Sequence, residues 1–179
     1  ANNLGIDLNF SNDMSLFHKE AVVNNIKIPN RLAVQPMEGC DGTNDGSPGV
    51  LTKRRYERFA RGGAGLIWFE AVAVVPEGKA SPNQLQITEK NISEFQSIVE
   101  TIKKSAKEQH GDDFSPVTIM QLTHSGRFSK PYGKFEPIIA CKNPFFEDKY
   151  KNEDSAKVVS DEELEKLEDE FVKAALFAK

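Results

Sequence analysis

The sequence lacks the features that mark several large classes of protein. It has only two cysteines, Cys40 and Cys141, without CxxC spacing, which argues against a disulfide framework and against a metal site of the zinc type. A reducing, cytoplasmic location is the simplest interpretation. No apolar run approaches the roughly 20 residues that span a bilayer. The net charge of −4 gives no reason to expect nucleic acid or a membrane surface as a partner.

Glycine-rich nucleotide-binding motifs are also absent. There is no GxGxxG or Walker loop, so the sequence does not predict a Rossmann-type site. The pair Gly62-Gly63 follows a helical pattern and predicts the end of a helix. The acidic run within residues 161–170 opens another predicted helix, where negative charge is favourable, and indicates a solvated face.

Three segments have the continuous apolar cores of strands that are covered on both faces. They are residues 31–37 (RLAVQPM), 64–75 (AGLIWFEAVAVV) and 116–124 (PVTIMQLTH). Ahead of them, residues 15–29 predict a short β-hairpin with its turn at Asn24-Asn25.

A helix is predicted after each strand. Thr52 is the expected N-cap of a helix over residues 53–61, with Leu51 and Tyr56 as a hydrophobic staple. Residues 91–110 carry an apolar stripe that Gly111 closes.

The last predicted helix begins with a capping box. Ser160 and Glu163 have the spacing of that motif. One apolar face is expected from four residues of the helix, namely Leu164, Leu167, Phe171 and Ala175.

Strand followed by helix, three times over, predicts parallel strands joined by right-handed crossovers. Three parallel strands alone would leave two apolar edges unpaired. We therefore expect either that further polypeptide completes the sheet or that a second copy does so. A homo-oligomer is one arrangement that such edges allow.

Ligands of parallel α/β folds bind at the carboxyl ends of the strands, which here are residues 35–40, 70–71 and 121–127. Gln121 offers a donor and an acceptor between two apolar neighbours, and a planar heterocycle would satisfy both. The alternative is that polar residues simply mark strand ends. His124 could act as a catalytic acid or be structural, and Arg127 could hold a carboxylate or phosphate or be structural.

Residues 125–159 form a long connection that four prolines and glycines interrupt, at Pro131, Gly133, Pro137 and Pro144. Loops of this length are often lids or binding loops. Its phenylalanines could cover an apolar ligand or pack the loop against the sheet.

These stretches resemble the old yellow enzyme family of flavin oxidoreductases, including its 2,4-dienoyl-CoA reductase branch. The matching motifs, in the family's order, are NRL and QPM (within 30–37), RFA and GLI (within 58–67), EA (70–71), VPEG (75–78) and QLTHSGR (121–127). The resemblance implies an α/β fold, the N-terminal part of a (β/α)8 TIM barrel with about three βα units over residues 31–179. Residues 1–30 would form an N-terminal segment with the hairpin.

The resemblance also implies a cofactor, FMN, and a small-molecule reaction. Hydride would pass from NAD(P)H to FMN and then to an activated alkene of the α,β-unsaturated carbonyl class. Backbone groups around Gln35, Pro36 and Met37 would contact the isoalloxazine, Ala71 would contact its edge, and Gln121 would hydrogen-bond its pyrimidine ring.

Glu38 departs from the family pattern, which usually has Thr or Cys near flavin N5 and O4. Because an ionised carboxylate disfavours anionic reduced flavin, we expect Glu38 to turn away or to be held neutral. Cys40 would then contribute near the substrate, and Arg127 is a second candidate there.

Other parts of the family's site would lie beyond residue 179. These are the substrate-binding His pair, the flavin-phosphate site and, in one branch, an iron–sulfur cluster. We therefore expect residues 1–179 alone to bind FMN weakly or not at all and to turn over nothing.

Two other hypotheses fit the pattern. The first is a non-catalytic half-barrel scaffold or binding module that dimerises through its open sheet edge. The second is a barrel enzyme of another chemistry, an aldolase or a phosphate-binding isomerase, for which Glu70 is the only qualifying residue at a strand end.

Overall fold

The computed structural model describes Gly5, residues 11–146 and residues 156–179. Its first element of sheet is an antiparallel hairpin of β1 (Ala21–Val23) and β2 (Ile26–Ile28). Asn24 and Asn25 form the turn with φ values of 46° and 66°. A two-residue hairpin turn requires such left-handed values, and asparagine tolerates them. The predicted hairpin and turn are confirmed, although the hairpin is shorter than residues 15–29.

Three parallel strands form the main sheet, in the order β3 (Ala33–Val34), β4 (Leu66–Ala73) and β5 (Val117–Thr123). A helix follows each strand along the chain. These helices are α1 (Val50–Arg61), α2 (Ile92–His110) and α3 (Asp161–Ala178). The predicted alternation of strand and helix and the predicted parallel direction are therefore confirmed.

The first strand was predicted too long, because β3 has two residues rather than the seven of segment 31–37. The backbone beyond Val34 is bound by side chains instead of by a neighbouring strand. Gly39 donates its N–H to Glu70, and the carbonyl of Met37 accepts from Arg55. These contacts with side chains of β4 and α1 thus replace the hydrogen bonds to a neighbouring strand that the apolar pattern predicted.

One extra residue in β4 shifts its register with β5. Trp68 pairs with Ile119 and Ala71 pairs with Gln121, so that three steps along β4 match two along β5. This irregularity is a β-bulge, a device that bends a strand and redirects its side chains.

The bulge changes which residues of β4 face the helices. Before it, Ile67 and Phe69 belong to a cluster formed with α1 and α2. After it, Val72 and Val74 belong to a second cluster that includes part of α3. Since side chains alternate along a strand, Ala71 faces away from the helix layer.

The start of α1 differs from the prediction. The helix begins at Val50 with Gly49 as its N-cap, and Thr52 lies within the first turn. There its hydroxyl accepts from the Gly49 N–H at 3.2 Å and donates to Asp41 at 2.6 Å. The predicted staple is also wrong, because Leu51 is exposed and Tyr56 is buried against β4.

The predicted boundaries of the other two helices hold. Gly111 ends α2 with φ of 100°. The capping box of α3 is confirmed, with Ser160 N–H donating to Glu163 at 3.0 Å and Glu163 N–H donating to the Ser160 hydroxyl at 3.3 Å. Its apolar face was predicted incompletely, since Ala175 is exposed and Leu164 is 37% exposed. The side chains of α3 that pack on the second cluster are those of Leu167, Phe171, Ala174 and Phe177.

The connection predicted as a lid contains regular structure in its described part. A short 3-10 helix covers Gly126–Phe128, and β6 (Ile138–Ile139) pairs in parallel with β7 (Lys157–Val158). Residues 147–155 of the predicted lid lie outside the described residues. Among the described residues, no helix has both the length and the apolar character needed to cross a bilayer.

Candidate functional site

Two of the predicted site residues are direct neighbours at the end of the sheet. Ala71 and Gln121 are register partners on β4 and β5. On β5, Met120 and Leu122 pack against the helix-side cluster, so Gln121 between them projects from the opposite face. The structure therefore places Gln121 and Ala71 side by side on the face that the helices leave uncovered.

The amide of Gln121 is available to a ligand. It is half-buried and forms no hydrogen bond with any residue that the structure describes. Trp68 and Ile119 lie on the same face, paired across the strands, and are 38% and 36% exposed. An apolar surface next to a free donor and acceptor suits a flat heterocycle with a polar edge.

The other predicted cofactor residues lie on the loop after β3. Gln35 and Glu38 are exposed, Pro36 is half-buried, and Met37 is 74% exposed. An apolar side chain so open at a strand end is available for contact with a ligand. Cys40 follows in the same loop with a left-handed φ of 47°, which a cysteine rarely adopts.

This loop is fixed from below by a buried carboxylate. Glu70 of β4 is 1% exposed, and its Oε2 accepts from the N–H of Gly39 at 2.8 Å. Its Oε1 lies 2.9 Å from Nη2 of Arg55, and the same Nη2 lies 2.8 Å from Asp41. One guanidinium on α1 therefore balances two carboxylates and ties the β3 loop to β4.

Tyr56 completes the surroundings of Glu70. Its hydroxyl donates to Glu70 Oε1 at 3.2 Å and accepts from the backbone N–H of Glu70 at 2.8 Å. Its ring stacks on Phe69 with centroids 4.3 Å apart. Burial and the nearby charge of Glu70 raise the pKa of Tyr56, so the phenol stays neutral. Glu70 is thus committed to structural contacts and is shielded from solvent, which does not favour the alternative of a barrel enzyme that uses it in catalysis.

Glu38 lies against the end of β4. Its Oε1 accepts from the Nε2 of Gln84 at 3.4 Å, and its Oε2 lies 3.9 Å from the thiol of Cys40. Partial desolvation and repulsion from Glu70 raise the pKa of Glu38. Whether Glu38 turns away from the flavin or is held neutral beside it stays a prediction.

Gln84 is a site residue that sequence reasoning missed. It is fully buried, its Nε2 donates to the carbonyl of Ala71 at 3.1 Å, and its Oε1 accepts from the N–H of Ala80 at 2.5 Å. It therefore links Glu38 to the strand end beside Gln121. The alternation of Gln and apolar residues in QLQI (84–87) could have indicated a partly buried polar side chain here.

His124 is held in place by its neighbours. Its Nδ1 accepts from the N–H of Gly126 at 3.0 Å. Its ring lies so close to Gly78 that a Cβ there would be 2.7 Å from the ring, so the position requires glycine. Burial lowers the pKa of His124, although Glu77 opposes the shift. Of the two interpretations of this residue, the contacts favour the structural one.

Arg127 and Cys40, the two residues predicted near the substrate, lie in different surroundings. Arg127 packs over the ring of Phe146 at 5.3 Å. Cys40 is a free, exposed thiol at the rim of the β3 loop.

Within the described ranges, no group of three His, Cys, Asp or Glu residues could hold a metal ion.

Comparison with known proteins identifies this arrangement. Residues 16–179 match the family model described as NADH:flavin oxidoreductase / NADH oxidase family. The chain is 33% identical over 162 residues to an NADPH dehydrogenase of Halalkalibacterium halodurans, covering 88% of this chain and 43% of that protein. It is 33% identical over 125 residues to an NADPH dehydrogenase of Geobacillus thermodenitrificans, covering 68% of this chain and 33% of that protein.

Solved structures show the same fold. Old Yellow Enzyme from Pichia sp. AKU4542 matches with a TM-score of 0.72 and 20% identity, over 91% of this chain and 42% of that one. The old yellow enzyme homologue from Zymomonas mobilis matches with a TM-score of 0.70 and 21% identity, over 90% of this chain and 44% of that one. The chain thus spans less than half of the length of these relatives, and its three βα units correspond to part of a (β/α)8 barrel, as predicted.

Proposed function

Because this chain belongs to the NADH:flavin oxidoreductase / NADH oxidase family, we propose that it contributes one wall of an FMN site to an NAD(P)H-dependent oxidoreductase. The observation that carries the proposal is the shared face of Ala71 and Gln121, next to a β3 loop that Glu70 holds in place. The substrate would be an activated alkene of the α,β-unsaturated carbonyl class. The named relatives, which are NADPH dehydrogenases, support NADPH as the reductant.

Each residue has a distinct role in this proposal. The backbone of Gln35, Pro36 and Met37 would lie along the ring system, because the loop is anchored while its side chains stay open. Ala71 is small enough to let a flat ring approach β4. Gln121 would donate to and accept from the polar edge of that ring. FMN, when bound, supplies the hydride chemistry, and the protein supplies its orientation and its electrostatic environment.

Several finer points stay predictions. Cys40 at the rim of the β3 loop is proposed to contact the substrate, with Arg127 as a second candidate. We also propose that residues 1–179 alone bind FMN weakly, because the described sheet supplies one side of a pocket. The 2,4-dienoyl-CoA reductase branch, an iron–sulfur cluster downstream and a cytoplasmic location rest on the sequence alone.

Replacing Gln121 with leucine tests the proposal. In the full-length protein, Gln121→Leu keeps the size of the side chain and removes both hydrogen bonds, so FMN should bind about tenfold more weakly. Fluorescence titration of the apoprotein with FMN measures the dissociation constant. Gln96→Leu, at an exposed position of α2, is the matched control. Equal FMN affinity in the Gln121→Leu and Gln96→Leu proteins would remove Gln121 from the site.

A non-catalytic scaffold that dimerises through the sheet edge is the competing function. The open edge of β5, which is paired only with β4 in the described sheet, is the observation that favours it. Sedimentation of the full-length protein with and without FMN separates the two. A stable dimer that never takes up FMN would support the scaffold.

A further inference from the structure

A second cleft lies away from the residues assigned to the flavin. Its volume is about 830 Å³, and it opens between the segment after β4, the loop before α1 and the side of α3. Its charged lining consists of Asp45, Lys79, Glu89, Lys90 and Lys173, and Gln86 is among its polar residues. Neither Gln121 nor Glu38 lines it, so its chemistry is separate from the proposed function.

Lys79 is the unusual residue of this cleft. It is 5% exposed. Its backbone N–H donates to the carbonyl of Pro76 at 3.3 Å, and its carbonyl accepts from the N–H of Lys130 at 2.7 Å. Its ammonium forms no ion pair and no hydrogen bond with any residue in the described part of the chain. Burial lowers the pKa of Lys79, and only the more distant Asp45 opposes that shift. Among the described residues, the Ser129 hydroxyl is the only fully buried side-chain polar atom without a hydrogen-bond partner, so the Lys79 ammonium reaches the open cleft and is accessible to an anion there.

Gln86 presents a second unused polar group to the same cleft. It is 7% exposed, and its backbone is bonded to Gly46 and to the side chain of Asn91. Its side-chain amide has no hydrogen-bond partner among the described residues. Two side chains that are mostly buried therefore present donor groups to one cleft without a partner among the described residues.

Two carboxylates, Asp45 and Glu89, line the cleft together with three lysines, and Asp45 is already engaged. Asp45 accepts from the hydroxyl of Thr43 and, at 3.1 Å, from the N–H of Ser47. At the rim, Lys173 adds a second positive charge that is only loosely paired, 3.9 Å from Glu170. The lining thus carries one more positive than negative side chain, and the unpaired groups of Lys79 and Gln86 can both donate hydrogen bonds.

We propose that this cleft is a binding site for an oxyanion, the carboxylate or phosphate group of a small metabolite, held by Lys79 and Gln86 with Lys173 at the entrance. A charge-assisted bond to Lys79 would supply the partner that the protein does not. The proline rings of Pro76 and Pro82 and the exposed ring of Tyr132 form walls against which the rest of such a molecule would pack.

Isothermal titration with inorganic phosphate and, separately, with acetate tests this site in the full-length protein. The stronger of the two responses identifies the oxyanion. Lys79→Gln should weaken binding about tenfold or more, since it removes the charged partner of the anion. Lys173→Gln should weaken it about threefold, since that lysine is exposed. Lys103→Gln, an exposed lysine of α2 outside the cleft, should bind like the wild type.

The comparison of Lys173→Gln with Lys103→Gln decides the question even if Lys79→Gln does not fold. The absence of saturable binding of either anion to the wild type would overturn the proposal. Equal affinity in the Lys173→Gln and Lys103→Gln proteins would also overturn it. FMN content of the same samples is measured alongside, so that a failure of this site is distinguishable from a failure of the flavin site.

Discussion

The ends of the two neighbouring strands β4 and β5 are built very differently. From Phe69 to Ala73 every residue of β4 is buried, and Glu70 within it contacts α1 and the β3 loop. No residue of β5 is fully buried, and Ala174 is the only buried residue of the helix that follows it. Both strands nevertheless end at the same proposed site.

The difference follows from position in the sheet and has a functional meaning. In the described sheet β4 is paired on both sides, whereas β5 is paired only with β4. The β4 side holds backbone in place through charges and buried rings, which suits the proposed wall against a rigid ring system. The β5 side offers the side-chain amide of Gln121, which can adjust to its partner. Sparsely packed regions of this kind unfold locally more readily than the core.

The largest expected effect on this comparison comes from removing the charge of Glu70. Glu70→Gln keeps the shape but leaves Arg55 with one carboxylate, and we expect a loss of about 3 kcal/mol in the free energy of unfolding. Urea denaturation of the full-length protein, followed by tryptophan fluorescence, measures it.

The control for Glu70 is an exposed ion pair. Glu94→Gln removes the partner of Lys53, which lies 2.7 Å away, and both side chains are more than 40% exposed. This change should cost less than about 1 kcal/mol. Equal losses in the two variants would show that the β4 end is no more tightly built than the surface.

The second test concerns the β5 side. Ser160→Ala removes the N-cap of α3 and should cost about 1 kcal/mol, because the Glu163 N–H loses its acceptor. Hydrogen exchange should accelerate in α3 and stay unchanged in β4 if the two sides open separately. Ser97→Ala, on the exposed side of α2, serves as the control. Accelerated exchange throughout both strands would mean that the two sides unfold as one unit.

The smallest expected effect comes from Glu38. Above its raised pKa the carboxylate is charged and disfavours anionic reduced flavin, so Glu38→Gln should make the FMN midpoint potential about 20 mV more positive. As the pH falls through that pKa, the wild-type side chain becomes neutral and the difference should vanish. Spectroelectrochemical titration at several pH values measures both. An identical potential in both proteins at every pH would remove Glu38 from any tuning role.

The sequence predicted the fold where its patterns are local. Asn24-Asn25 specified a turn through their own backbone preferences, and Ser160 with Glu163 specified a cap within four residues. The start of α1 was misplaced because Gly49 carries no side chain, so Thr52 looked like the better cap. The length of β3 was overestimated because its continuation depends on Glu70 and not on its own apolar residues.

The candidate site was predictable only in part, for the same reason. The position of Gln121 beside Ala71 follows from parallel strands and from the rule that ligands bind at their carboxyl ends. Gln84 and Arg55 could not be found this way, since Ala71 lies 13 residues from Gln84 and Asp41 lies 14 residues from Arg55 along the chain. Lys79 showed nothing unusual until its burial was known.

The bulge in β4 makes the pairing of this strand as important as the identity of its residues. With the same residues in strict alternation and no bulge, Ala71 would turn toward the helix layer and Val72 would come to the open face, although the amino-acid composition would be unchanged. Substitutions along this strand can be absorbed one side chain at a time. Loss of the bulge with every residue kept would exchange the two surfaces of the strand beyond it, so the bulge is itself part of the pocket.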